Sequence, residues 1–172
     1  MIRLVSVGRF TPAKRFDRLI RIVSRLRSEK FDVSLWLLGD GELREELYVL
    51  SSQLGISEYV TFWGFQNNPY KYVSKCDLFV CSSSSEGYST AVTEAIILGI
   101  PVITTDCSGM GELLQDGKCG VITKNCEDSL YEGIKRLLTS PNALQYYSMA
   151  ASERGKDFSI ERIMKSVESV IS

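Results

Sequence analysis

The sequence contains no histidine. That absence removes the commonest general base, the commonest metal ligand and every Ser-His or Cys-His nucleophile arrangement. Its five cysteines, Cys76, Cys81, Cys107, Cys119 and Cys126, are odd in number and none forms a C-x-x-C pair. This argues against a disulfide framework and against a zinc cluster, and reads best as small packing residues in a reducing, cytoplasmic setting. Long apolar runs are missing too: the stretch from Met1 to Val7 ends at Gly8-Arg9, well short of a signal or membrane segment. Net charge is -1, with Lys and Arg interspersed among Asp and Glu. No general basic field is present to attract nucleic acid, so any phosphate must be held by a local site.

What is present is the composition of an ordered globular domain, with 44% hydrophobic and 24% charged residues in a chain of 172. That length fits one domain with one core. Short apolar runs recur at Ile2 to Val7, Val33 to Leu38, Tyr59 to Trp63, Leu78 to Cys81, Pro101 to Thr105 and Gly120 to Ile122. Each has the length of a buried strand. Between them lie helical stripes: Phe16, Leu19, Ile20, Val23 and Leu26, then Leu43, Leu47, Leu50 and Leu54. Beyond Ile122 the pattern is helical only, over Ser129 to Leu138, Asn142 to Arg154 and a last segment from Ile160. Strands apolar on both faces and joined by helices predict an α/β fold. The expectation is a doubly wound, Rossmann-like parallel sheet of about six strands with helices on both faces. Ligands of such sheets bind outside the carboxyl ends of the strands, where turns lead into helix N-termini that favour anions.

Three of those turns carry candidate chemistry. The first is Gly8-Arg9-Phe10-Thr11-Pro12-Ala13-Lys14, with a glycine that lets a ligand approach the backbone and two cations suited to a diphosphate, unless both are merely solvated. The second, Gly39-Asp40-Gly41, lacks the third glycine of a dinucleotide fingerprint and follows the wrong strand. It reads as a tight turn in which Asp40 or Gly41 starts the next helix. The third runs from Ser82 through Ser85 to Glu86-Gly87-Tyr88-Ser89-Thr90 and on to Glu94. A helix starting near Ser89 would aim its free amides at a phosphate, with Thr90 and Glu94 on one face. Exposed hydroxyls and amides are expected to line this mouth, and the two carboxylates to accept hydrogen bonds from two different sugars.

Taken in order, Gly8-Arg9-Phe10 with Lys14, Gly39-Asp40-Gly41, Phe62-Trp63-Gly64-Phe65, Cys76-Asp77 and the E-x7-E spacing from Glu86 to Glu94 resemble the retaining GT-B glycosyltransferases of the large family four type (glycosyl transferases group 1). The resemblance implies the C-terminal, donor-binding half of a GT-B fold. It makes residues 1–172 a single nucleotide-sugar domain, inactive alone, without the N-terminal acceptor-binding domain. It implies that Arg9 and Lys14 bind the donor diphosphate, Glu86 contacts the transferred sugar and Glu94 holds the nucleotide ribose. Gly8, Gly87 and the amides around Tyr88, Ser89 and Thr90 complete the pocket, and Phe65 flanks the base. Arg9, Lys14 and Glu86 become the catalytic candidates. No metal is required, because cationic side chains and helix amides can stabilise the leaving diphosphate. Family habit ranks a UDP-sugar first as donor and GDP-mannose second. It also gives an acceptor glycan or lipid-linked glycan, with a setting in polysaccharide biosynthesis in which the full enzyme associates peripherally with the inner face of the membrane. The chain departs from the family at Tyr88-Ser89, where Phe-Pro is common, and at Lys14-Arg15, where Lys-Gly is common. Two rivals stay open: a non-catalytic sugar-nucleotide binding module or partner subunit, and a relative of the UDP-sugar epimerases, against which the E-x7-E spacing speaks.

Overall fold

The computed structural model describes residues 1–158. The helix expected from Ile160 lies outside them. Six strands, β1 (Ile2–Val7), β2 (Val33–Leu38), β3 (Val60–Gly64), β4 (Leu78–Cys81), β5 (Val102–Thr105) and β6 (Val121–Thr123), form one sheet in the order β3-β2-β1-β4-β5-β6. Every neighbouring pair is parallel. The helices are α1 (Phe16–Ser28), α2 (Arg44–Gln53), α3 (Tyr70–Val73), α4 (Thr90–Ile97), α5 (Met110–Leu113), α6 (Glu127–Thr139) and α7 (Ala143–Gly155). The expected strands are all present to within a residue at either end. Tyr59 falls instead in a 3-10 turn, and the four-residue helices α3 and α5 are additions too short to show a period.

Alternation along the strands divides the core in two. Leu4, Leu78, Val80 and Ile103 point to one face, where they meet Phe16, Leu19, Ile20 and Val23 of α1 and Leu130, Tyr131 and Ile134 of α6. Val5, Phe79, Cys81 and Val102 point to the other and meet Val92, Ala95 and Ile96 of α4 and Met110 and Leu113 of α5. Strands buried on both faces are apolar at most positions, and the polar residues buried within them, Ser6, Ser34, Thr104 and Thr105, are small. Each large side chain so buried contributes about 1.5–3 kcal/mol. Cys76, Cys81 and Cys119 take the packing role expected of them, and burial pushes the Cys76 thiol up to about 12. Cys107 is half-buried and Cys126 exposed, so the packing role does not extend to Cys126.

Strand order reverses direction between β1 and β4, so chain connections leave the sheet on opposite sides there and open a crevice at the carboxyl ends of those strands. The turn after β1 enters α1 through Arg15, whose backbone is left-handed (φ 51, ψ 42). That conformation accounts for the glycine common at this position in the proteins the chain resembles. Here Asp17 holds Arg15 instead, through Nε at 3.0 Å and Nη2 at 3.1 Å, and also accepts from Arg21, which bonds Glu127 at 2.8 Å. Partial burial pushes the Asp17 carboxyl up, but the hydrogen bonds from Arg15 and Arg21 outweigh it and hold the carboxyl below the usual aspartate range. A depressed carboxyl stabilises the fold above its unfolded pKa, and that stability is lost as pH falls through the folded value. Asp17→Asn is therefore expected to cost about 0.5–1 kcal/mol at neutral pH. Denaturant melts should show wild type and variant converging as the pH falls through the lowered value of this carboxyl; a gap that persists in the fully protonated protein would mean that the carboxylate charge is not what matters.

Candidate functional site

The turns after β1 and β2 are locked together by backbone. Phe10 N donates to Asp40 O at 2.9 Å, Leu43 N to Phe10 O at 3.2 Å, and Gly39 N to Gly64 O at the end of β3 at 2.9 Å. A Cβ on Gly39 would lie 1.9 Å from the Gly8 carbonyl oxygen, and one on Gly41 would lie 2.6 Å from that of Phe10. The Gly39-Asp40-Gly41 turn is thus a clasp on the first loop. It does not start α2, contrary to expectation: the Asp40 carboxylate accepts from Gly41 N at 2.8 Å and pairs with Arg44, and the helix begins at Arg44. Above the clasp opens a cleft of about 560 Å³ lined by Val7, Gly8, Arg9, Leu38, Asp40 and Phe65, among others. Phe65 is 75% exposed there, and Arg9 is exposed at its rim.

Lys14 and Glu86 come together from turns 72 residues apart. Lys14 Nζ donates to both carboxylate oxygens of Glu86, at 2.6 and 2.8 Å, with the lysine side chain 26% and the glutamate 9% exposed. The lysine stem runs beside Gly8, where a Cβ would sit 3.5 Å from Lys14 Cε. This pair therefore stands next to the cleft that holds Arg9. The sequence reading gave the two residues separate ligand atoms; the structure places them on each other.

The serine run serves as scaffold at its start. Ser82 and Ser83 are buried, contrary to the exposed hydroxyls expected. Ser82 Oγ donates to Lys14 O at 2.8 Å, and Ser83 O accepts from Thr105 Oγ1 at 2.6 Å and Cys107 Sγ at 3.1 Å. Ser84 N donates to Ala13 O at 2.8 Å, while Asn125 Nδ2 donates to Ser84 O at 2.9 Å. The loop is thereby tied to both the first turn and the segment after β6. Ser84, Ser85, Gly87 and Tyr88 remain exposed. Gly109, left-handed at φ 82, lets the turn before α5 pass beneath this loop, since a Cβ there would be 3.3 Å from Gly87 O.

The helix expected near Ser89 begins at Thr90, with Ser89 as its N-cap accepting from Val92 N at 3.4 Å. Serine here does the capping that a proline cannot do with its side chain. Thr90 is exposed at the helix start, and Glu94 lies one turn in. Glu94 Oε1 accepts from Tyr70 Oη at 3.1 Å, and Tyr70 directly follows Pro69 of the cleft wall. Tyr70 was not among the residues singled out from the sequence. The only local signal was the Asn68-Pro69 dipeptide, which marks a turn. The cleft thus gathers Gly8, Arg9 and Phe65. The pair of Lys14 with Glu86 adjoins it, and Gly87, Tyr88, Ser89, Thr90 and Glu94 follow along the loop and helix that leave β4.

The family model described as glycosyl transferases group 1 matches residues 2–154. Among similar proteins is the N-acetylgalactosamine-N,N'-diacetylbacillosaminyl-diphospho-undecaprenol 4-alpha-N-acetylgalactosaminyltransferase of Campylobacter jejuni. It is 35% identical over 164 residues, which cover 94% of this chain and 44% of that protein. The lipopolysaccharide core biosynthesis glycosyltransferase LpsE of Rhizobium meliloti is 39% identical over 119 residues, covering 69% and 34% respectively. Among solved structures, Anabaena Alr3699/HepE in complex with UDP superposes with a TM-score of 0.88 at 21% identity, over 99% of this chain and 48% of that one. The fold is therefore shared with that protein. The chain spans less than half the length of each of these relatives. With the sheet order, the crevice at its switch point and a match over nearly the whole chain, the protein belongs to the glycosyl transferases group 1 family, with the GT-B type of Rossmann-like domain.

Proposed function

We propose that this chain is the donor-binding, C-terminal domain of a retaining glycosyltransferase, and that it holds a nucleoside diphosphate sugar across the crevice between β1 and β4. The observation that supports this reading is that three groups able to donate to a phosphate lie on the turns that follow β1 and β4: Arg9 in the cleft wall, Lys14 beside Gly8 in its pair with Glu86, and the N-terminus of α4. A diphosphate placed there meets a planar cationic fork, an ammonium already held by Glu86, and the free amides of a helix N-terminus. As the anomeric bond breaks, these groups stabilise the charge growing on the leaving diphosphate, without a metal ion in the scheme. Glu86 faces the transferred sugar, Glu94 takes the ribose hydroxyls, and Phe65 flanks the base. UDP is the favoured nucleotide, in keeping with the UDP complexes of HepE and of the pneumococcal O-GlcNAc transferase GtfA, which share the fold. The acceptor, a glycan or lipid-linked glycan, belongs to a separate N-terminal domain of the full enzyme. The diphospho-undecaprenol in the name of the Campylobacter relative supports a setting at the inner face of a membrane. Among the described residues, no helix is long and apolar enough to cross one.

Calorimetric titration of the chain with UDP, GDP, ADP and their sugars tests the reading. UDP and a UDP-sugar are expected to bind selectively. Arg9→Ala and Glu94→Ala should each weaken binding by about tenfold to a hundredfold, the loss of charge-assisted hydrogen bonds worth about 1.5–3 kcal/mol. Affinity for UDP unchanged in both variants would remove the nucleotide from this crevice, and preferential binding of GDP-mannose would replace the donor but keep the site.

A further inference from the structure

We infer that Tyr70 is a positioning residue for nucleotide recognition: it fixes the Glu94 carboxylate so that its second oxygen is presented to the ribose hydroxyls of the donor. This rests on the reading of Glu94 as the ribose-binding residue. Three observations carry it. Tyr70 Oη donates to Glu94 Oε1 alone, at 3.1 Å, which leaves Oε2 free to accept from a sugar. Tyr70 is also 44% exposed although it opens a helix at the cleft wall, so its ring is not there to fill the core. And the turn that carries it is anchored by its neighbours. Tyr72 packs on Trp63 and Trp36 with ring centres 4.7 and 6.5 Å away, Val73 is buried against the second core, and Pro69 O receives the amides of Tyr72 and Val73. The phenol is thus held by a rigid support on one side and a helix on the other. That is the arrangement which confines a flexible glutamate to one rotamer before a ligand arrives. The hydrogen bond to Glu94, with the charge of that carboxylate, pushes the Tyr70 phenol above the ordinary tyrosine range, as a phenol that donates to an anion should be.

The consequence is selective for the sugar of the nucleotide. Tyr70→Phe keeps the ring and removes only the donor, so it should weaken UDP by about tenfold and weaken 2′-deoxy-UDP much less, shrinking the ratio between the two. A residue that merely supported the loop would lower both affinities together and leave the ratio where it was. The same substitution made in a Glu94→Ala background is expected to change UDP affinity by less than about twofold, because the group it positions is gone. Calorimetry on the four proteins, wild type, Tyr70→Phe, Glu94→Ala and the double variant, with both nucleotides decides the matter. A ratio unaltered by Tyr70→Phe, or an undiminished effect of Tyr70→Phe without Glu94, overturns the role of Tyr70 while the donor site stands. UDP binding that is indifferent to Glu94→Ala overturns the ribose reading itself, and the role of Tyr70 with it.

Discussion

Gly39→Ala is expected to destabilise the domain by more than about 3 kcal/mol and to abolish nucleotide binding, since of the glycines it is the one where an added Cβ meets its nearest neighbour most closely. The added carbon would stand 1.9 Å from Gly8 O and 2.9 Å from Gly8 C, both backbone atoms that no rotamer change can move. The backbone at φ 137 is in addition a conformation that L side chains rarely adopt. Relief requires the turns after β1 and β2 to separate. Separation gives up the bonds of Phe10 N to Asp40 O and of Leu43 N to Phe10 O and moves Arg9, which the first of these turns carries next to Phe10. Gly55→Ala is the matched control. It too is left-handed, at φ 67, but nothing lies within 4 Å of its Cβ, so only the backbone term of about 1–2 kcal/mol applies. Urea melts of the two variants separate contact from strain. If Gly39→Ala costs no more than Gly55→Ala, the clasp is not holding the first loop in place.

The sequence makes the sheet legible for a simple reason: strands covered on both faces are largely apolar, and runs such as Val33 to Leu38 or Leu78 to Cys81 stand out in a chain of this polarity. The turns were legible as places and less so as structures. Ser82 and Ser83 read as a polar mouth because composition cannot show that their partners are the carbonyl of Lys14 and the side chains of Thr105 and Cys107. Gly39 and Gly41 read as a tight turn, but not as a clasp on the first loop, because a close approach of backbone leaves the same mark on a sequence whether the neighbour is a ligand or another loop. Tyr70 was silent for a third reason. Its function depends on a contact with a residue 24 positions away, made from a helix of four residues that has no periodicity to detect. Arg15 shows the converse. Departure from the glycine common at that position is visible in the sequence, but the left-handed backbone and the pairing of its side chain with Asp17 are visible only in three dimensions.

The pair of Lys14 with Glu86 makes the second large effect one of sign. Lys14→Met is expected to weaken UDP binding by about a hundredfold or more, Glu86→Gln to change it by less than about tenfold, and the double variant to bind UDP better than Lys14→Met does. An ammonium has three N–H donors, and Glu86 takes two of them at 2.6 and 2.8 Å. Lys14 can therefore serve a phosphate oxygen with the third while it neutralises the carboxylate beside it. Remove the lysine and the diphosphate loses a cation, but it also gains an uncompensated anion as a neighbour, in a place where the glutamate is only 9% exposed and poorly screened. Two like charges about 4 Å apart repel by about 4 kcal/mol at an effective dielectric constant near 20, so the second consequence is as large as the first. Replacing Glu86 with the isosteric amide cancels that repulsion, and affinity should partly return. The diphosphate, not the fold, must be what reports this, so the titration is paired with denaturant melts of all four proteins. It is also repeated with uridine, which lacks phosphate and should bind equally to all variants that fold. Strictly additive losses in UDP affinity would mean that the pair and the diphosphate do not share a site. Rescue confined to UDP would place the leaving group of the reaction directly against the Lys14 ammonium.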